Sequence, residues 1–198
     1  MSPSQILTLA SGSEARARLL AAAGVPLAIR PARVDEEAIR EALQAEGAPP
    51  RDVADLLAEA KARKGTRPGL VLGADQVLEH RGRILSKPRS PDDAMAQLSA
   101  LRGDTHHLHA AAVIAEDGQP VWRHVATARM TMRAASDGYL ADYAARNWDA
   151  IRHCVGCYQV EAEGVRLFSR IDGDHFVVQG LPLLQILDFL AVRGVVAS

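Results

Sequence analysis

Several side chains have the types and spacing for chemistry on a phosphate-bearing molecule. Ser11-Gly12-Ser13-Glu14-Ala15-Arg16 lies between the short apolar run Ile6–Ala10 and a helical pattern. Such a strand-to-helix loop offers two hydroxyls, a glycine that allows close backbone approach, and the unpaired N–H groups of a helix start, the setting of an anion site. Arg16 adds a cation one turn inside, although the same residues also compose an ordinary N-cap with a surface arginine. Asp75 ends the apolar run Leu70–Ala74, as a buried strand delivering a carboxylate to a cleft would. It is the leading candidate for a general base or metal ligand, with capping as the plainer alternative. Lys61 in Ala60-Lys61-Ala62 and Lys87 in Ser86-Lys87-Pro88 could each neutralise phosphate or stand solvated. Lys64 suits the carbonyl end of a helix. The carboxylates of Asp35-Glu36-Glu37 could hold a metal, cap a helix, or do both.

Lysine usage gives these positions weight. Of the 23 basic residues 20 are arginine, so each of the three lysines is a candidate for a place that needs a compact charge. Cys154-Val155-Gly156-Cys157 has a redox or zinc spacing, but two cysteines cannot complete a zinc site and no thioredoxin-like unit surrounds them. His107 and His109 alternate onto one face of a strand, where solvated histidines are the simpler expectation than a metal pair. P-loop, dinucleotide-binding and serine-hydrolase motifs are absent.

The elements that must position these residues follow from periodicity. A strand is expected over Ile6–Ala10, then a helix from the Ser13 cap to Gly24 and a strand over Leu27–Val34. Asp35 caps a second helix that ends near Gly47. Asp52–Lys64 forms a third, with Val53, Leu56, Leu57 and Ala60 on one face. Turns are expected at Gly47-Ala48-Pro49-Pro50 and Arg67-Pro68-Gly69, and Val77–Leu85 forms a hairpin about Arg81-Gly82. Ser90-Pro91-Asp92-Asp93 starts a helix that stops at Gly103. Thr105–Ala115 and Trp122–Arg133 are long strands joined by a turn at Glu116-Asp117-Gly118, Ser136–Asn147 is a helix, Gly164–Ile171 and His175–Val178 are strands, and Pro182–Arg193 closes the chain as a helix. The class is α/β with a mixed sheet and a cleft, within a single domain over residues 1–198.

Composition narrows the partners. With 198 residues, 48% of them hydrophobic, the chain can bury a core, and a net charge of −1 with 4% aromatic residues disfavours a nucleic-acid binder. No stretch approaches the ~20 apolar residues of a membrane span. The N-terminus lacks a basic region before its apolar run, so a cytoplasmic protein is expected.

Collected in order, the motifs resemble the Maf family of nucleoside-triphosphate pyrophosphatases. Leu9–Arg16 is similar to the family's L-A-S-x-S-P-R-R opening, Val34-Asp35-Glu36 to V-D-E, and Ala60-Lys61-Ala62 to its K-A helix. Gly73-Ala74-Asp75-Gln76-Val77 matches G-A-D-[TQ]-V, Lys87-Pro88 matches K-P, and Leu101–His106 resembles L-x-G-x-T-H. Gly156–Glu161, Asp172-Gly173-Asp174 and Val178–Leu183 complete the series. The resemblance implies a curved mixed β-sheet flanked by helices, related to the inosine-triphosphate pyrophosphatase architecture, with two lobes around a deep central cleft. It implies hydrolysis of a nucleoside triphosphate to monophosphate and diphosphate with a divalent cation, Mg²⁺ or Mn²⁺, and removal of modified or non-standard nucleotides. Asp75 falls on the proton acceptor; Ser11, Ser13, Arg16, Lys61 and Lys87 on phosphate-binding positions; Glu36, with Asp75, on the metal side. A homodimer is a family-level expectation.

Substrate choice in the family separates at positions that are here Ala15, Gln76 and Glu161. Gln76 and Glu161 resemble the branch acting on 7-methyl-GTP, where a carboxylate suits a guanine edge and a cationic base. That branch has a tryptophan at the Ala15 position, and alanine cannot stack. Glu14 also replaces the family's proline and sets a negative charge beside the loop. The expectation is a pyrophosphatase leaning to 7-methyl-GTP. The alternatives are a dTTP/UTP enzyme, or a non-catalytic nucleotide-binding regulator of cell division.

Overall fold

The computed structural model describes residues 6–65 and 68–197. The N-terminal half alternates strands and helices. Strand β1 (Leu7–Leu9) leads through α1 (Glu14–Ala22) to β2 (Leu27–Ile29), then α2 (Glu36–Ala45), α3 (Pro50–Lys64) and β3 (Leu70–His80). The remainder is β4 (Arg83–Leu85), α4 (Pro91–Leu101), β5 (Thr105–Glu116), β6 (Gln119–Met132), α5 (Asp137–Ile151), β7 (Phe168–Asp172), α6 (His175–Val178) and α7 (Leu183–Val192). Seven strands form one mixed sheet in the order β2-β1-β3-β5-β6-β7, with β4 also on β3. The pairs β1–β2 and β1–β3 are parallel, and the hairpin partners of β3, β5 and β6 are antiparallel. Helix-linked segments can return parallel, whereas tight turns such as Asp117-Gly118 force antiparallel neighbours.

Local chemistry explains the helix starts. Side-chain oxygens of Ser13, Asp35, Ser90 and Ser136 accept N–H groups in the first turns of α1, α2, α4 and α5. Both sheet faces are covered. Helix α3 packs Val53, Leu57 and Ala58 on Val77, Ala111 and Val113. On the other face, Leu20 and Leu190 meet Leu72, Ala74, Ala112 and Ile114. A third cluster joins α4 and α5 to the far end of β3, β5 and β6.

Several expectations are corrected. Strand β3 does not end at Asp75 but continues to His80, because β5 pairs with it from Leu70–Glu116 to Glu79–His107. The apolar run breaks there because a polar side chain is needed mid-strand, not because the strand stops. Strand β2 is three residues long rather than the expected Leu27–Val34. His175–Val178 is a helical turn capped by Asp174, and residues Glu163–Leu167 form a 3-10 helix ahead of β7. Leu56 is 41% exposed, and Ala58, Lys61 and Ala62 occupy the inner face of α3 instead. Of the turn expected at Arg67-Pro68-Gly69, Arg67 lies outside the described residues. No described helix is long and apolar enough to cross a membrane.

Candidate active site

Asp75 and Lys61 meet because of a glycine. Along β3, Gly73, Asp75 and Val77 face α3. A β-carbon on Gly73 would collide with the Ala58 carbonyl and the Ala62 amide, so its absence lets the α3 backbone lie against the strand. Lys61, between those contacts, is buried, and its Nζ donates to Asp75 Oδ1 at 2.6 Å. The same Nζ lies 3.0 Å from Glu36 Oε1, which the Asp35-capped start of α2 delivers. Lys61 and Asp75 are almost wholly enclosed, while Glu36 is partly solvated.

On the other face of β3, Ser11 and Arg16 are buried. Arg16 Nη1 donates to Ala74 O at 2.9 Å and to Ser11 Oγ at 3.2 Å, and Nε donates to Gly180 O at 2.8 Å. No carboxylate lies within ion-pair distance of this guanidinium, and Nη2 has no acceptor among the described residues. Burial lowers the Arg16 pKa, offset in part by the fields of Asp75 and Glu36. The guanidinium is thus a buried cation held by neutral acceptors, with one nitrogen free among the described residues. The loop supplies the remaining donors: Ser13 Oγ accepts Arg16 N, which leaves the Glu14 and Ala15 N–H groups that no helical carbonyl can reach.

The donors fit a divalent cation. Glu36 Oε1 and Asp75 Oδ1 converge on one point, where the Lys61 ammonium stands, and their second oxygens have no protein donor among the described residues. Oxygen donors alone are what a hard cation takes. No group of three or more His, Cys, Asp or Glu among the described residues is arranged to enclose a metal. Two carboxylates would therefore hold one together with oxygens of the bound molecule.

Other predicted residues stand farther out. Lys87 is exposed on a loop tied to α2 by Arg40–Ser86 at 3.0 Å and Arg89–Glu37 at 2.8 Å, which keeps it beside the helix that carries Glu36. Its ammonium is not joined to the Lys61–Asp75 pair. Ala15 presents only a methyl group. Glu161 is paired with Arg18 at 3.4 Å, a rim contact worth little in energy. Gln76 faces away from α3 and donates from Nε2 to Val177 O and Val178 O.

The remaining candidates have structural partners. Cys157 is buried, which pushes its thiol up to about 12, and burial raises Cys154 as well, so neither has the lowered pKa of a reactive cysteine. His107 and His109 flank Glu79, with His107 Nδ1 at 3.1 Å from its carboxylate. Sequence reasoning assigned no role to Gly73 or Gly180. The signal for Gly73 is its position two residues before Asp75, on the same strand face.

Comparison with known proteins identifies the family. The Maf-like protein family model matches residues 6–193. A nucleoside triphosphate pyrophosphatase of Roseobacter denitrificans is 62% identical over 193 residues, covering 96% of this chain and 97% of that one. Proteins of the same name from Ruegeria pomeroyi and Caulobacter vibrioides are 61% and 50% identical, each over at least 95% of both chains. With the family model matching residues 6–193 and relatives of this identity covering nearly the whole of both chains, this chain belongs to the Maf family.

Proposed function

We propose that the protein hydrolyses nucleoside triphosphates to monophosphate and diphosphate, as the names of its relatives imply, and that the group around Asp75 performs the reaction. The observation that carries the reading is Arg16: buried, without a carboxylate partner among the described residues, and near enough to Asp75 and Glu36 to feel their charge. Its free Nη2, the α1 amides and the Ser11 and Ser13 hydroxyls receive phosphate oxygens. Lys61 and, from the loop beside α2, Lys87 offset the charge of the triphosphate. Water attacks the α-phosphorus in line, Asp75 accepts its proton, and the bond to the bridging oxygen of the β-phosphate breaks to release diphosphate. A divalent cation held by Glu36 and Asp75 would supply charge neutralisation and a more acidic water.

We also propose that the enzyme leans to 7-methyl-GTP and acts on the free nucleotide pool of the cytoplasm. Support for the base preference is the Glu161 carboxylate, whose partner Arg18 is a loosely held rim residue that a donor-bearing, cationic base can replace. The test is diphosphate release from canonical and modified triphosphates with Mg²⁺ or Mn²⁺, for wild type and Asp75→Asn. The expected result is turnover lost in the variant and 7-methyl-GTP preferred over UTP and dTTP. Undiminished turnover in Asp75→Asn would remove Asp75 from the mechanism. Tight nucleotide binding with no turnover would make the protein a regulator.

A further inference from the structure

We infer that Gln76 is a positioning residue, which holds Arg16 in place through the turn at residues 177–180. The inference goes beyond the proposed function, which leaves the role of Gln76 open. Gln76 Nε2 lies 3.0 Å from Val177 O and 3.1 Å from Val178 O. Only the nitrogen end of an amide can sit between two carbonyl oxygens, so the side-chain orientation is decided by the network. Both amide hydrogens are then engaged. The carbonyls belong to the last turn of α6, where helix geometry leaves them short of donors.

From there the network runs to Arg16. Gly180 N donates to Val177 O at 3.0 Å, the same oxygen that Gln76 holds. Gly180 O in turn accepts from Arg16 Nε at 2.8 Å. Gln76, Val177, Gly180 and Arg16 are thus joined by three consecutive hydrogen bonds. Gly180 has φ +96°, and a β-carbon on it would lie 3.5 Å from both Nε and Nη2 of Arg16 and 3.6 Å from Gln76 Oε1. A left-handed glycine is what lets the turn press its carbonyl onto the guanidinium. On the strand side, Arg16 Nη1 is held by Ala74 O, two residues from Gln76. Arg16 is therefore clamped between β3 and a turn that β3 itself fixes through Gln76, and its free Nη2 points where that clamp aims it.

The experiment compares wild type with Gln76→Met, which keeps the length and loses both donors. Gln76→Asn serves as the second variant, with an amide that stops short of the two carbonyls. Binding of inorganic triphosphate is measured by calorimetry, alongside kcat and KM for 7-methyl-GTP, GTP and UTP. A mispositioned phosphate-binding cation weakens inorganic triphosphate binding by about tenfold and raises KM by a similar factor for every nucleotide. It leaves kcat within about threefold. The inference is overturned if inorganic triphosphate affinity stays at the wild-type value in both variants. Inorganic triphosphate carries no base and requires no turnover, so its binding tests the clamp even if the proposed hydrolysis fails.

Discussion

The Lys61–Asp75 contact can be tested as an energetic unit. Lys61→Met removes the ammonium and keeps the bulk of the side chain. Asp75 is then left enclosed with no donor at Oδ1, because the 2.6 Å contact is its only close cationic partner among the described residues. Removing one member of a buried ion pair typically destabilises by about 3–5 kcal/mol. The lower end applies here, since the second contact, to Glu36 at 3.0 Å, reaches a partly solvated group that water can serve. The expected loss is about 3 kcal/mol, read in urea as a lower midpoint at unchanged slope, or as a melting temperature lower by about 6–12 °C. Adding Asp75→Asn removes the stranded charge. The double variant should therefore recover at least about 1.5 kcal/mol of the loss while remaining inactive. A Lys61→Met protein within 1 kcal/mol of wild type would refute the reasoning, and so would a double variant no more stable than the single one.

Other outcomes follow from the same geometry. His106 is fully buried beside Tyr158 and Phe168, and desolvation, reinforced by His80 and His107, holds its pKa down to about 3. The unfolded chain, with His near 6.5, binds the extra proton between those values, so this contribution to stability is intact above pH 6.5 and declines as pH falls toward 3. Between pH 7 and pH 5 the loss is about 2 kcal/mol, and His106→Gln should flatten that part of the urea-midpoint profile. Gly73→Ala forces α3 off the strand and should destabilise by about 3 kcal/mol while abolishing diphosphate release, checked by denaturation and assay together. Iodoacetamide at pH 8 should leave Cys157 unmodified in the native protein and modify it once urea is added, as mass spectrometry of the peptide would show.

What could be read along the chain was what local chemistry controls. Ser13, Asp35, Ser90 and Ser136 are short-range caps, and the helices they start are where the pattern put them. The turns at Arg81-Gly82 and Asp117-Gly118 were equally legible, because they carry positive-φ chemistry in adjacent residues. Residue types and ordered motifs named the candidates for the site. Strand lengths were not legible: β3 runs past Asp75 because β5 pairs with it from Leu70–Glu116 to Glu79–His107, a partner distant in the chain. The segment His175–Val178 reads as a strand by composition, but Asp174 caps it and Gln76 satisfies its carbonyls, so it closes as a helical turn.

The site shows the same division. That Arg16, Lys61 and Asp75 should act together was implied by motif order. Tertiary structure decided which atoms face which: Lys61 is bound to Asp75 and Glu36 because Gly73 admits α3, and Arg16 is held by carbonyls of Ala74 and Gly180 from distant parts of the chain. A sequence states which groups are available within a few residues of each other. Enclosure and orientation depend on packing partners distant in the chain, and those decide which buried cation is paired with a carboxylate and which is held by neutral acceptors alone.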